Sequence, residues 1–401
     1  MKPSLIFHID VNSAFLSWSA LARLEAGDAT DLRQIPSIVG GDRSTRHGVV
    51  LAKSIPAKAY GITTGEPVAT ALRKYPNLTI VPPDHALYHR QSTRLMEYLS
   101  GICPDIEQVS IDECYMDYAP VSANYSSPET AASIIKDTVF DTFGFTVNVG
   151  ISDRKVLAKM ASDFQKPNLV HTLYSWEIRE KLWPLPVSRL FLCGNSSRET
   201  LRKLGISTIG DLAQTDPRIL KAHLKLHGTT LWNYANGLDD SRVQPTPAKE
   251  KSIGNSTTLA ADATTREDAK KVLLALSESV AGRLRDSGQK AGLVCMEVKY
   301  NTFRSVSHQA PSDPPTASTD QIYRLSCTLF EDLWDGTPIR LMGVRAGHLS
   351  PADEPVQLGL FDGQAPVSEK QQKLDAALDK IRGKYGKDAV KRGSLIDSPK
   401  G

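Results

Sequence analysis

The chain has 401 residues, which at roughly 100 to 200 residues per domain corresponds to about two to four domains. Apolar residues make up 40% of the chain and charged residues 23%, proportions that exclude a disordered or fibrous protein. The net charge of +3 is too small to indicate a partner, and the 5 scattered cysteines, without a Cys-x-x-Cys pair, argue against a disulfide framework or a zinc site.

The hydropathy of the chain predicts a cytoplasmic protein. His8 and Asp10 interrupt the first apolar run too early for a signal peptide. No later stretch approaches the ~20 apolar residues that a membrane span needs. We therefore expect reduced cysteines and no contact with a membrane.

Charge is unevenly distributed along the chain. Residues 84–141 hold 10 acidic and 3 basic residues, whereas residues 153–203 hold 10 basic and 5 acidic residues. A polyanionic partner bridged by metal ions would suit both segments. Solvated helix faces of opposite charge are the alternative interpretation, and the counts alone favour it.

The first half of the chain alternates between strand and helix patterns, which predicts an α+β fold. Strands are predicted over residues 5–10, 75–84, 109–118 (as a hairpin) and 146–151, and helices after Asp84 and from Pro128 to Phe143. Ser152 is expected to cap the helix that follows the last of these strands. Residues 27–73 mix short apolar runs with turns and are expected to form a small module inserted between two strands.

The second half begins with a helical pattern and ends in a polar tail. Helices are predicted within residues 183–238, 266–287 and 320–334, and a strand over residues 292–300. Between the first and second of these helical segments, residues 241–251 are polar, contain two prolines and are expected to form an extended linker.

The strongest chemical signal is a set of three carboxylates. Asp10 ends the first predicted strand, and Asp112 and Glu113 are adjacent in the hairpin, where Asp112 is expected on the polar side of an alternating strand. If the two strands are neighbours, the three groups converge, and like charges at close range either take up protons or bind cations. Oxygen ligands favour Mg²⁺ or Mn²⁺, and two such ions can promote phosphoryl transfer. Three surface acids at strand ends are the alternative interpretation.

Three separated motifs contain or follow these carboxylates. They are Phe7-His8-Ile9-Asp10-Val11-Asn12-Ser13-Ala14-Phe15, Ser110-Ile111-Asp112-Glu113-Cys114-Tyr115, and a third that runs from Val149 through Lys159 to Lys166-Pro167. In this order they resemble the palm motifs of the Y-family translesion DNA polymerases, the DNA polymerase IV and UmuC group. Three ordered motifs are far more specific than any one of them.

The resemblance extends more weakly over the whole chain and implies a right-hand polymerase. This is an α+β multidomain fold with a ferredoxin-like palm, small fingers, a helical thumb with a helix-hairpin-helix, and an α/β little finger. The implied divisions are a palm at 1–26 and 75–170, fingers at 27–74, a thumb at 171–240, a linker at 241–251, a little finger at 252–349 and a tail at 350–401.

The resemblance also implies a two-metal catalytic site. Asp10, Asp112 and Glu113 would hold two Mg²⁺ ions, for which Mn²⁺ could substitute, and the backbone carbonyl of Val11 would help to hold one of them. No separate exonuclease is expected, because the first half of the chain contains no second carboxylate constellation.

Further residues would contact the incoming nucleotide. Phe15 is at the position of the family's steric gate against the ribose 2′-hydroxyl, and Lys166 matches a lysine that contacts the triphosphate. On pattern alone, Phe15 is more often a core residue. The fingers motif departs from the family, because Ile55 and Lys58 stand where Tyr and Arg are usual. Lys58 keeps the positive charge without the bidentate fork, so we expect a weaker or differently arranged triphosphate contact.

Two helices joined through Gly205-Ile206-Ser207 resemble the family's helix-hairpin-helix, whose backbone N–H groups hold a DNA phosphate without reading sequence. A plain helical hairpin is the alternative, and on pattern alone the better one. Residues 248–350 hold 13 basic and 12 acidic residues, so a role of this segment in DNA binding rests on the resemblance.

The tail holds an apolar cluster within a polar segment, Gln357-Leu358-Gly359-Leu360-Phe361. Such a cluster costs free energy when it is left in water, so it is expected to dock. It resembles the peptide by which bacterial polymerases bind the sliding clamp, with Gln357, Leu358, Leu360 and Phe361 as contacts. Packing against a following helix is the alternative.

Together these observations predict a monomeric bacterial DNA polymerase. It would add dNTPs to the 3′ end of primer–template DNA, across damaged template, in DNA repair and the SOS response. Two alternatives stay open. One is a non-catalytic accessory protein that binds DNA and clamp, which Ile55 and Lys58 would suit. The other is a palm-fold nucleotide cyclase, which would need no DNA grip.

Overall fold

The computed structural model describes residues 5–41, 48–247, 249–354, 369–386, 389–390 and 392–393. The chain forms two compact units that divide after Pro247, here called the first and second units. Within the described part of the chain, no helix is long and apolar enough to cross a membrane.

Helices and strands alternate through both units. The strands are β1 (Ile6–Val11), β2 (Ser37–Gly40), β3 (Val50–Lys53), β4 (Thr79–Val81), β5 (Ile106–Gln108), β6 (Glu113–Asp117), β7 (Val147–Ser152), β8 (Val170–Thr172), β9 (Ser252–Ala263), β10 (Gln289–Tyr300), β11 (Ser305–Thr316) and β12 (Ile339–Pro351). The helices are α1 (Ala14–Glu25), α2 (Ile55–Ala59), α3 (Val68–Lys74), α4 (His85–Ile102), α5 (Pro128–Phe143), α6 (Lys155–Ser162), α7 (Asn195–Lys203), α8 (Ile209–Gln214), α9 (Pro217–Ala235), α10 (Arg266–Asp286), α11 (Thr319–Leu333) and α12 (Glu369–Tyr385).

A five-stranded sheet in the order β5-β6-β1-β7-β8 forms the centre of the first unit. β1 is antiparallel to both of its neighbours. Its odd-numbered residues, such as Phe7 and Ile9, enter a core with α1, α4 and α5. Its even-numbered residues point to the opposite face, where His8 contacts Ser162 of α6. The two-residue period of a strand therefore directs Asp10 toward α6 and away from the apolar core.

The predicted helices of this unit are confirmed, whereas one predicted cap is wrong. Asp84 and Ser127 begin α4 and α5 by accepting hydrogen bonds from backbone N–H groups of the first turn. Ser152, in contrast, is the last residue of β7, and its hydroxyl donates to the carbonyl of Leu173 at 2.5 Å. Because that hydroxyl is used inside the sheet, α6 begins after Arg154 without a side-chain cap.

A small three-stranded sheet in the order β3-β2-β4 carries α2 and α3. The strand predicted over residues 75–84 forms only as β4, which pairs in parallel with β2 instead of joining the large sheet. Leu78 and Tyr75 before it pack on the core of the small module, together with Ile38 and Val50. The small module therefore extends through β4, beyond the boundary at residue 74 that the sequence suggested.

The helices α7, α8 and α9 form a separate apolar cluster with α6. Gly205, at φ 77°, ends α7 in the left-handed region that glycine adopts without strain. Thr208 and Asp211 then form a reciprocal cap at the start of α8. Lys225, at φ 55°, interrupts α9, which is consequently two helices joined by a kink.

The second unit is a four-stranded antiparallel sheet in the order β11-β10-β12-β9, packed against α10 and α11. The sequence predicted both helices and β10, but not the other three strands. β11 contains Pro311, Pro314 and Pro315, which weaken a strand pattern. As an edge strand it tolerates them, because one side of its backbone has no strand to bond.

The C-terminal helix α12 is joined to the second unit by buried ion pairs. Asp375, whose side chain is 3% exposed, lies 3.5 Å from Arg285 of α10. Arg285 also forms a charge-assisted hydrogen bond with Asp379 at 2.9 Å. Glu278 of α10 pairs with Arg382 at 3.2 Å. Part of the predicted tail is thus integrated with the fold of this unit.

Candidate active site

Strand pairing brings Asp10 and Glu113 side by side. In the register of β1 and β6, Asp10 is the direct partner of Glu113. Directly opposite residues of antiparallel strands have their Cβ atoms about 4.5 to 5.5 Å apart, so the two carboxylates share one edge of the sheet. Two of the three predicted carboxylates are therefore neighbours because of sheet register.

Asp112 lies in the turn that precedes β6, and not within an alternating strand as the sequence suggested. The turn is held to β1, because the backbone N–H of Val11 donates to the carbonyl of Asp112 at 3.0 Å. The Asp112 carboxylate accepts a hydrogen bond from Ser110 at 2.6 Å. Burial raises the pKa of Asp112, and the negative charges of Asp10 and Glu113 raise it further. The third carboxylate therefore belongs to the same electrostatic cluster.

Two lysines compensate the charge of this cluster. The ammonium of Lys159 lies 2.6 Å from Glu113 and 3.2 Å from Asp10. Lys166 lies 3.1 Å from Asp10 and 2.8 Å from Asp163. Burial acts to lower the pKa of each lysine, but the charges of Asp10 and Asp163 outweigh it and raise both pKa values. Both lysines are consequently cationic in the folded protein.

A buried histidine completes the surroundings of Glu113. His8 Nδ1 is 2.8 Å from the hydroxyl of Ser162, and His8 Nε2 is 3.4 Å from Glu113 Oε2. The neighbouring His8, together with the hydrogen bond from Lys159, holds the pKa of Glu113 at about 2. Burial lowers the pKa of His8 itself. Glu113 is therefore ionised at neutral pH, whereas burial favours the neutral form of His8.

The donor atoms of the cluster suit a hard divalent cation. Ligand atoms of His8, Asp10 and Glu113 all lie within 4.8 Å of one another. Carboxylate oxygens are the ligands that Mg²⁺ and Mn²⁺ prefer, and Asp112 adds another at the same edge of the sheet. The residues present thus fit the metal chemistry that the sequence predicted.

A cavity of about 460 Å³ opens beside the carboxylates. Of the residues predicted to contact metal or nucleotide, its walls include Asp10, Val11, Phe15, Lys58, Asp112 and Lys166. Glu113 is not among its lining residues. The ring of Phe15 stacks on Tyr88, with ring centroids 4.3 Å apart, and so has one fixed orientation at the cavity wall. Ile55 also lines the cavity and is 62% exposed, so it is not a core residue.

Sequence reasoning missed the residues that act around the carboxylates. Lys159 and His8 occur within the three motifs, but the motifs by themselves do not indicate a role for either residue. The i, i+4 spacing of Lys159 and Asp163 at the end of α6 was an available signal for that pair, whereas Lys166 lies beyond the helix, which ends at Ser162, and no helical spacing indicates its position. For His8 the available signal was the two-residue period of a strand. His8 is two residues before Asp10 and therefore points to the same face of β1.

The predicted helical hairpin contributes no residue to the walls of this cavity. Gly205 and Ser207 form the connection between α7 and α8, as the predicted helical hairpin requires. The predicted clamp-contact residues Gln357, Leu358, Leu360 and Phe361 lie outside the described residues.

Comparison with known proteins identifies two family models in the chain. Residues 9–163 match the impB/mucB/samB family, and residues 250–360 match the C-terminal domain of the impB/mucB/samB family. The first match contains all three carboxylates of the candidate site, and the second covers the strands and helices of the second unit as far as β12.

Full-length relatives agree with these matches. A protein named DNA polymerase IV from Clostridium acetobutylicum is 44% identical over 98% of both chains. Another of that name, from Clostridium kluyveri, is 34% identical over 99% of both chains. A solved Y-family DNA polymerase chimera, Dbh-Dpo4(243-245)-Dbh, covers 86% of this chain and 98% of its own with a TM-score of 0.74 and 22% identity, so it shares the fold.

The fold and the two matches define the class of the protein as a polymerase of the right-hand type. The chain belongs to the impB/mucB/samB family, the Y-family DNA polymerases. The family and the fold class predicted from the three motifs are confirmed.

Proposed function

We propose that the chain is a template-directed DNA polymerase of the translesion type, which adds dNTPs to the 3′ end of a primer. As a family member it is a DNA-directed DNA polymerase, a nucleotidyltransferase whose substrates are DNA and dNTPs. The observation that carries the proposal is the convergence of Asp10, Asp112 and Glu113 beside a cavity large enough for a nucleotide. Neither a nucleotide cyclase nor a non-catalytic accessory protein is favoured, because the relatives that match the full length are named as polymerases.

Asp10, Asp112, Glu113 and the backbone carbonyl of Val11 would hold two Mg²⁺ ions, or Mn²⁺ ions in their place. When bound, such ions stabilise the attacking and the leaving oxygen of the phosphoryl transfer. The low pKa of Glu113 supports this role, because an ionised carboxylate is needed at neutral pH. Lys159 lies between Asp10 and Glu113 and would reduce the repulsion between them.

Three further residues would contact the incoming nucleotide. Phe15, fixed by its stack on Tyr88, would act as the steric gate that excludes a ribose 2′-hydroxyl. Lys166 and Lys58 would bind the triphosphate, because both line the cavity and a cation is what the spread phosphate charge requires.

The domains would have the roles that the family assigns. The proposed divisions are a palm at 1–26 and 82–170, fingers at 27–81, a thumb at 171–240, a linker at 241–251, a little finger at 252–349 and a tail at 350–401. Apolar clusters centred on the large sheet, the small sheet, the helical region and the second unit support this division. The large-sheet cluster also includes Val39 and Ala52 of the small sheet, and the helical cluster includes Leu157 and Met160 of α6.

The test is primer extension by purified protein with Mg²⁺ and dNTPs. Asp112→Asn removes a charge with little change of shape, so we expect extension to fall at least about 100-fold while primer–template affinity is retained. Asp141→Ala, which removes an exposed acid on α5, is the control and should extend normally. Undiminished extension by Asp112→Asn would contradict the proposal.

The tail would bind the bacterial sliding clamp through Gln357, Leu358, Leu360 and Phe361, and the protein would act as a cytoplasmic monomer. A pull-down with purified clamp tests the contact. We expect Gln357→Ala with Phe361→Ala to abolish capture without changing extension of short primers. Capture at the wild-type level would make the cluster a structural element of the tail.

A further inference from the structure

The cavity beside the carboxylates is lined by four cationic side chains that differ in their charge partners. They are Arg33, Lys53, Lys58 and Lys166. Arg33 forms a fork with Asp31 at 2.9 Å and donates to the carbonyl of Gly144 at 2.7 Å. Lys166 is paired with Asp10 and Asp163. Within the described residues, Lys53 and Lys58 have no carboxylate within ion-pair distance. One wall of the cavity therefore carries two uncompensated charges.

Lys53 is fixed at this wall by the small sheet. It is the last residue of β3, where its backbone pairs with Ile38 of β2. Its ammonium donates to the hydroxyl of Thr64 at 3.2 Å, and Thr64 also lines the cavity. Glu66, whose charge acts to raise the pKa of Lys53, is already paired with Lys74 at 2.6 Å. The Lys53 ammonium is thus held at the cavity with hydrogen-bonding capacity left over.

The positive charge of Lys58 disfavours the charged form of Lys53 as long as no anion is bound. Burial lowers the pKa of Lys53, and the positive charge of Lys58 lowers it further. A polyanion between them removes this penalty, so the pair binds a multiply charged group better than a neutral or singly charged one.

We propose that Lys53 is a triphosphate-binding residue that acts together with Lys58 on the incoming nucleotide. This inference rests on the proposed polymerase function and deepens it. Ile55 has no hydroxyl to offer a phosphate, and the Ser54 hydroxyl already donates to the carbonyl of Ile35 and caps α2. Lys53 and Thr64 supply polar atoms at the same wall. In this module the ammonium groups of Lys53 and Lys58 thereby take the place of the Tyr hydroxyl and the Arg guanidinium that are usual in the family.

The test separates nucleotide affinity from maximal rate by rapid-quench primer extension across a range of dNTP concentrations. We expect Lys53→Ala to weaken the apparent affinity about tenfold, the size of one lost charge-assisted hydrogen bond, with the maximal rate changed less than about twofold. The loss should be equal for the four dNTPs, because the phosphates are common to them. Lys53→Arg keeps the charge and should restore most of the affinity.

A competitor and a control variant sharpen the result. Inorganic tripolyphosphate should compete with dNTP about tenfold less strongly in Lys53→Ala than in the wild type, which assigns the contact to phosphate. Arg73→Ala removes an equal charge from the exposed side of α3 in the same module, away from the cavity, and should leave the nucleotide affinity unchanged.

Three outcomes would overturn the inference. The first is equal dNTP affinity in Lys53→Ala and the wild type. The second is weaker binding of primer–template by Lys53→Ala without a loss of dNTP affinity, which would make Lys53 a DNA contact. The third is a lower melting temperature and maximal rate at unchanged dNTP affinity, which would make its bond to Thr64 structural. Absence of extension by the wild type would instead contradict the proposed function, and calorimetric binding of tripolyphosphate would still test Lys53.

Discussion

The ionisation of Glu113 depends on two side chains that are far from it in the sequence. His8 and Lys159 hold its pKa at about 2, well below the ordinary value of 4.5. A carboxyl whose pKa is lower in the folded state stabilises the protein fully above its unfolded pKa. This contribution is lost as the pH falls from about 4.5 through about 2, because the proton binds the unfolded chain first.

This difference predicts a pH-dependent effect of Glu113→Gln on metal-free protein. We expect the variant to be less stable than the wild type by about 2 kcal/mol at pH 6, after allowance for solvent screening, and the difference to shrink toward pH 3. Urea unfolding at the two pH values measures it. Glu97→Gln on the exposed side of α4 controls for general loss of a negative charge. A difference that is the same at both pH values would contradict the assignment.

Phe15 restricts the space at the cavity wall. Its ring stacks on Tyr88 at the cavity wall, so a smaller side chain opens space where the sugar of a nucleotide would lie. We expect Phe15→Ala to raise the incorporation of ribonucleotides relative to deoxyribonucleotides by about 10- to 100-fold. Single-nucleotide extension with rNTP and dNTP measures this ratio. Phe140→Ala on the exposed side of α5 should leave it unchanged, and an unchanged ratio in Phe15→Ala would remove Phe15 as the gate.

At the scale of elements, the site depends on close packing of α6 on β7. Gly150 of β7 has no side chain, and a Cβ there would lie 2.0 Å from the carbonyl oxygen of Ala158 and 2.4 Å from the N–H of Ser162. Both are backbone atoms of α6, which cannot move without displacing Lys159. The absence of a Cβ in the sheet therefore allows the lysine on the helix to reach Asp10.

We expect Gly150→Ala to destabilise the protein by about 3 kcal/mol or more, because overpacking against backbone has no side chain to relax. It should also lower extension, since Lys159 moves with α6. Urea unfolding and primer extension measure the two effects. Gly101→Ala is the matched control, because nothing lies within 4 Å of a Cβ there and alanine is the better helix former in α4. Similar stability of both variants would contradict the packing argument.

At the scale of the whole molecule, the two units have separate cores. The first unit contains the apolar clusters of the large sheet, the small sheet and the helical region, and the second unit contains its own. None of these four clusters of described residues combines side chains from both units. A domain with its own core can fold alone.

We therefore expect a fragment of residues 1–247 to unfold in one cooperative calorimetric transition of its own. It should still extend a primer, because the carboxylates, Phe15 and the cavity all belong to it. If the second unit binds DNA, as the resemblance implies, the affinity of the fragment for primer–template should be lower and should depend less steeply on salt, because fewer phosphate contacts release fewer counterions. A fragment without a cooperative transition would show that its core depends on the second unit.

The sequence alone determined a large part of this protein. Local patterns are sufficient to predict α4, α5 and α10. A capping residue and apolar periodicity, with a proline at the first turn of α5, are all encoded within a few residues. The three carboxylates and the family could be predicted from short motifs, because metal binding restricts residue type at each position. A sequence gives the residue type at each position directly, so such motifs can be recognised without a structure.

How these residues act together depends on contacts that form only in the folded chain. The low pKa of Glu113, the pairing of Lys166 with Asp10 and the uncompensated charge of Lys53 each depend on contacts between distant segments. β4 joined the small sheet because hydrogen bonding to β2, and not its own pattern, chooses the partner of a short strand. The spacing of residues along the chain does not give the distances between segments in the fold. Those distances set the electrostatics of this site.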